Sequence, residues 1–229
     1  MHRARSLIAL SVHLLTLSGT VLSLAALIAA SNHDWPTTFG LLGLALIVDG
    51  IDGPLARRFD VVDALPRWQG PILDLIVDYL TYVLVPAYIV YEAGLMPGGL
   101  GFVAAAVICV TSGFYFADRH VKTQDNFFRG FPALWNLIVF YIMVLSLRPL
   151  AALLLVAVCA LATFLPVKFV HPLRVVRWRA PTIAMTAAWA LLALLAIFQN
   201  LQPHLWVQLA LLFVAAYFLI LSGLRSARP

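Results

Sequence analysis

Apolar residues run along this chain in long blocks separated by short polar connections. A block of 18 or more apolar residues is long enough to cross a bilayer as a helix. Eight such spans are predicted, at about residues 8–30, 38–57, 70–92, 98–118, 131–147, 149–166, 181–199 and 204–223. The first follows a basic start, Met1 to Arg5, as a secretory leader would. No small-residue cleavage site fits before Asn32 and the apolar run is long enough to span, so it is read as a retained helix. The expected fold is all-α, a polytopic integral membrane helix bundle of about eight transmembrane helices. It is read as a single domain over 1–229, with helices 1–6 (about 8–166) as the core and helices 7–8 (about 181–223) as an addition.

Charge gives this bundle a direction. The connections at 32–34, 92–99 and 199–204 carry no Lys or Arg, and the one near 148 carries Arg148 alone. The remaining fourteen of the fifteen basic residues fall on the other side, in Arg3, Arg5, Arg57, Arg58, Arg67, Arg119, Lys122, Arg129, Lys168, Arg174, Arg177, Arg179, Arg225 and Arg228. Basic loops stay in the cytoplasm, so both termini are expected there, in a bacterial inner membrane. Some of these arginines serve equally well as contacts to anionic lipid heads. With 63% hydrophobic and 11% charged residues, an ordinary soluble domain is excluded. No nucleic-acid partner is expected. Cys109 and Cys159 lie within apolar runs and read as small buried hydrophobes.

Against this background four aspartates stand out. Asp49 and Asp52 are three residues apart where the second span meets the cytoplasm, and Asp74 and Asp78 are four apart where the third begins. On helices each pair shares a face. Ionisable groups at the edge of hydrocarbon are costly and mark function. Four oxygen donors converging from two helices describe a site for divalent cations, Mn²⁺ or Mg²⁺. Gly53-Pro54 is expected to loosen the end of the second span.

The acids belong to a longer pattern: Asp49, Asp52, Gly53, Ala56 and Arg57, a spacer of twelve residues, then Gly70, Asp74 and Asp78. This resembles the signature of the CDP-alcohol phosphotransferases, with all eight positions present and a spacer longer than is usual in that family. The resemblance implies two divalent ions held by Asp49, Asp52, Asp74 and Asp78. It implies a CDP-linked lipid beside Asp49, Gly53, Ala56, Arg57 and Gly70, and Asp78 as the base that takes the proton of an acceptor alcohol. Arg119 and Lys122 border the same opening and are candidates for the diphosphate, or for topological anchors.

The long spacer, the segment from Ser112 to Asn136, the segment from Pro166 to Arg174 and the eight spans are similar to the branch of the family that joins CDP-diacylglycerol to free choline. Choline also suits the residues themselves. A quaternary ammonium donates no hydrogen bond and is held by aromatic faces with a carboxylate nearby. Tyr82, Tyr115 and Trp135 are the candidate faces and Asp118 the charge partner; the same aromatics would also suit an interfacial belt. Family resemblance points to a possible homodimer. The rivals are another acceptor alcohol, a membrane prenyltransferase, and a cation transporter, whose acids should lie near mid-membrane.

Overall fold

The computed structural model describes residues 2–118, 128–169 and 178–226. Arg119, His120, Lys122, Asp125, His171, Arg174 and Arg177 lie outside them. The first long helix, α1, spans His2–Ser31 and the second, α2, Trp35–Arg58. Asp34 caps α2: its carboxylate accepts the Thr37 N–H at 3.2 Å, and Pro36 fills a first-turn position where no donor is required. A single turn, α3 (Val61–Ala64), lies within the spacer.

The next rod is continuous but not uniform. It begins as α4 (Gly70–Asp78), widens into a π-helical turn over Tyr79–Leu84, and ends as α5 (Val85–Glu92). Then follow α6 (Gly101–Ala117), α7 (Trp135–Val144), α8 (Pro149–Ala162), α9 (Arg179–Phe198) and α10 (Leu205–Ser226). Two-residue strands β1 (Phe128–Arg129) and β2 (Lys168–Phe169) pair antiparallel.

Each of the eight predicted segments thus contains one helical rod. Five of the rods are long and apolar enough to cross a membrane by length and composition: Arg5–Ser31, Trp35–Arg58, Gly70–Glu92, Arg179–Phe198 and Leu205–Leu224. The other three are shorter apolar helices. Two of these end sooner than the hydrophobic pattern implies. Ahead of α7, Gly130 and Ala133 adopt positive φ and Pro132 offers no N–H. The Gly130 and Phe131 amides bond instead to the Val167 and Ala162 carbonyls, at 2.8 and 3.1 Å. A side chain at Gly130 would collide with the Thr163 carbonyl. The expected loosening of α2 at Gly53-Pro54 does not occur: α2 continues to Arg58 with Pro54 inside it.

Packing sets the relative directions. In α1, Gly19 lies so close to Val77 of α4 that any side chain there would clash, and His13 lies against Gly70. Contacts 13–70 and 19–77 advance together, so α1 and α4 are parallel and start at the same end of the bundle. That end also receives the last turns of α2, which hold Asp49 and Asp52. At the start of α7, the Trp135 indole N–H donates to the Ser112 hydroxyl in the last turns of α6 at 2.7 Å. At its far end, Tyr141 donates to the Leu211 carbonyl, in the second turn of α10, at 2.9 Å.

The core is built from α5, α6, α7 and α8, where Ile89, Ile108, Val139, Ile142 and Val156 are fully buried. The outward faces carry large apolar side chains instead, among them Phe198, Phe102 and Leu161, each more than two-thirds exposed. That pattern is the reverse of a soluble surface and fits a lipid-facing one. The chain is a multi-pass membrane protein. Both cysteines are free, and Cys159 is buried as expected.

Candidate metal centre and acceptor site

Asp74 and Asp78, four residues apart on α4, present their carboxylates across a gap to Asp49 of α2. One oxygen from each of the three lies within 4.8 Å of the others, and all three side chains are half-buried. Like charges that close are unfavourable, and more so away from bulk water. Hard divalent cations relieve such crowding, and an all-oxygen donor set suits Mg²⁺ or Mn²⁺. The donor set therefore fits the metal that the sequence pattern implies.

Asp52 stands outside this group of three. It is 5% exposed, one turn beyond Asp49 on α2. Gly53 has no side chain, and a Cβ there would sit 3.5 Å from the Arg57 guanidinium, which folds back along α2 over the glycine. Arg57 itself is exposed. Ala56 is half-buried, and it packs toward Ala9 and Val12 of α1 and Val61 of α3. Gly70, one turn before Asp74, faces the His13 ring at 3.5 Å from a would-be Cβ.

The candidate acceptor residues divide. Tyr82 is 6% exposed and its hydroxyl donates to Asp49 Oδ2 at 2.8 Å, so it reaches into the acid cluster itself. Tyr115 is equally buried, within electrostatic reach of Asp78 and Asp118, and its hydroxyl has no hydrogen-bond partner among the described residues. Phe116 stands edge-on to both Tyr115 and Tyr79. Asp118 is exposed just beyond the end of α6. Trp135 is fully buried, with its ring edge-on to Phe131 at 5.0 Å. Arg119 and Lys122 fall outside the described residues.

One neighbour of the site escaped sequence reasoning. His13 is 6% exposed, and its Nε2 has no hydrogen-bond partner among the described residues. Read alone, a histidine in an apolar run of α1 carries no signal; only the approach of α1 to Gly70 brings it to the site.

The family model described as CDP-alcohol phosphatidyltransferase matches residues 9–165, which include every acid of the cluster. The chain is 46% identical over 204 residues to a phosphatidylcholine synthase of Mesorhizobium japonicum, covering 89% of this chain and 76% of that protein. It is 42% identical over 221 residues to one of Agrobacterium fabrum, covering 96% and 92%. It is 43% identical over 219 residues to one of Pseudomonas aeruginosa, covering 95% and 91%.

Proposed function

The chain belongs to the CDP-alcohol phosphatidyltransferase family, and we propose from that premise that it moves the phosphatidyl group of CDP-diacylglycerol onto the hydroxyl of free choline, releasing CMP. The product is phosphatidylcholine. The observation that carries the chemistry is the convergence of Asp49, Asp74 and Asp78 from two helices. The similarity to phosphatidylcholine synthases along nearly the whole chain carries the choice of acceptor.

The family depends on divalent metal. We assign the binding of two Mn²⁺ or Mg²⁺ ions to Asp49, Asp74 and Asp78, with Asp52 joining from the next turn of α2. When bound, such ions neutralise a diphosphate and stabilise charge on the entering and leaving oxygens. Arg57, folded over Gly53, meets a phosphate or the nucleotide from the α2 side. The bare backbone at Gly53 and Gly70 leaves room for the flat base, and Ala56 lets α1 close on the same end of α2. Asp78 receives the choline hydroxyl proton as that oxygen bonds to the lipid-side phosphorus and the bond to CMP breaks. Tyr82, Tyr115 and Asp118 surround the acceptor's ammonium, with Trp135 backing them; Arg119 and Lys122 meet the diphosphate.

In this reading all eight rods cross the inner membrane, both termini are cytoplasmic, and the acids face the cytoplasm, where choline is supplied. Helix α7 is only about 15 Å long at 1.5 Å per residue. The irregular backbone before it is buried by protein, as a bilayer requires.

The test is incorporation of labelled choline by purified protein with CDP-diacylglycerol and Mn²⁺, against inositol, serine and glycerol phosphate. Choline alone should enter lipid, with one CMP released per lipid made. Product from another alcohol and none from choline would overturn the acceptor. Ion flux without CMP would overturn the enzyme.

A further inference from the structure

Helix winding changes directly after Asp78. From Tyr79 to Leu84 the rod is π-helical, and at Val85 it returns to α. Such turns are rare and recur at functional sites. Here the cause is in the sequence. Pro86 has no N–H, so the Tyr82 carbonyl, four residues back, loses its ordinary helical donor. Thr81 steadies the widened turn, its hydroxyl donating to the Val77 carbonyl at 3.0 Å.

The widened turn spreads two tyrosines that a regular α-helix would place on one face. Tyr79 reaches α6 and donates to the Cys109 carbonyl at 2.9 Å. Tyr82 reaches α2 and donates to Asp49 Oδ2 at 2.8 Å, with Asp74 and Asp78 within electrostatic reach of the same phenol. One carboxylate oxygen is thereby tied to a rigid, buried donor. The bond holds the ligand's rotamer across the gap between the two helices.

We infer that Tyr82 is a positioning residue for the metal-binding carboxylate of Asp49, delivered to it by the π-turn, so that the turn sets the affinity of the centre for divalent cations. This rests on the reading of the acid cluster as a metal site. It gives the Tyr82 hydroxyl a role separate from any contact of its ring with the acceptor. Removing a hydrogen-bond partner of a ligating group typically weakens metal binding about 10- to 100-fold.

The experiment measures Mn²⁺ binding to the full chain in lipid nanodiscs, by electron paramagnetic resonance of free Mn²⁺, with no substrate present. Tyr82→Phe keeps the ring and removes only the hydroxyl. It should raise the Mn²⁺ Kd about tenfold, lower kcat in a way that added Mn²⁺ restores, and leave the choline KM unchanged. Tyr79→Phe removes the equivalent bond to α6 and should leave the Mn²⁺ Kd unchanged. Should Tyr82→Phe fold poorly, Tyr82→Met fills the space without a donor and is expected to raise the Kd equally. A Kd within twofold of wild type in Tyr82→Phe, or an equal rise in Tyr79→Phe, overturns the inference and leaves the metal site standing. Wild-type protein that binds no divalent ion overturns both.

Discussion

Asp49, Asp74 and Asp78 can crowd together in a partly buried site only if something compensates their mutual repulsion. Removing one ligand should therefore cost function far more than fold. Asp49→Ala and Asp74→Ala are expected to lower CMP release at least about 100-fold, a loss typical of groups that stabilise transition-state charge, while migrating normally on size exclusion. Activity retained by either at saturating Mn²⁺ would break the two-ion assignment. Asp78→Asn should keep CDP-diacylglycerol binding and lose turnover; turnover within a few-fold of wild type would remove Asp78 as the base. The approach of Asp49 to Asp74 and Asp78 was legible in the sequence, because the four-residue spacing on α4 puts two acids on one face, whereas the three-residue spacing on α2 did not bring Asp52 into the same group. The Tyr82 bond and the place of His13 were not legible, since both depend on how close two helices come.

At the scale of elements, the legible part was the number and order of apolar rods, and the illegible part was where they change winding or stop. Pro86 removes the backbone donor that the π-turn accommodates, but hydropathy alone shows a uniform 23-residue apolar run there. The late start and early finish of α7 come from a strand pair and from positive-φ positions that hydropathy does not register. Two glycines show where an element admits no side chain. Gly130→Ala forces a Cβ onto the Thr163 carbonyl in a conformation that L-residues rarely adopt. It should destabilise the protein by about 1–3 kcal/mol, seen as a lowered melting midpoint in detergent. Gly19→Leu would drive α1 away from Val77, the residue next to Asp78. That variant should lose both Mn²⁺ binding and activity; full retention would mean that α1 does not brace the centre.

For the whole molecule we propose eight crossings rather than five, and hydrogen bonds inside the bundle support that reading. Five crossings would make α6, α7 and α8 a re-entrant group, put α9 and α10 in reversed directions and place the two termini on opposite sides. Yet Trp135 ties the start of α7 to Ser112, near the acid end, and Tyr141 at the far end of α7 meets Leu211 early in α10. Helix α10 therefore begins at the end remote from the acids and returns toward them. Its Tyr217 meets Thr182, in the first turn of α9, at 3.0 Å, as an antiparallel hairpin requires. In that reading both termini lie at the acid end, the side to which the sequence pattern assigns fourteen of the fifteen basic residues. The turn between α9 and α10 separates the two schemes. A cysteine at Gln202 should react with a membrane-impermeant maleimide applied outside intact cells, as should one at His33, whereas one at Arg67 should react only after the membrane is opened. If Gln202→Cys is protected until lysis while His33→Cys is labelled, then α6 to α8 do not cross an odd number of times, and the C-terminus belongs on the outer side.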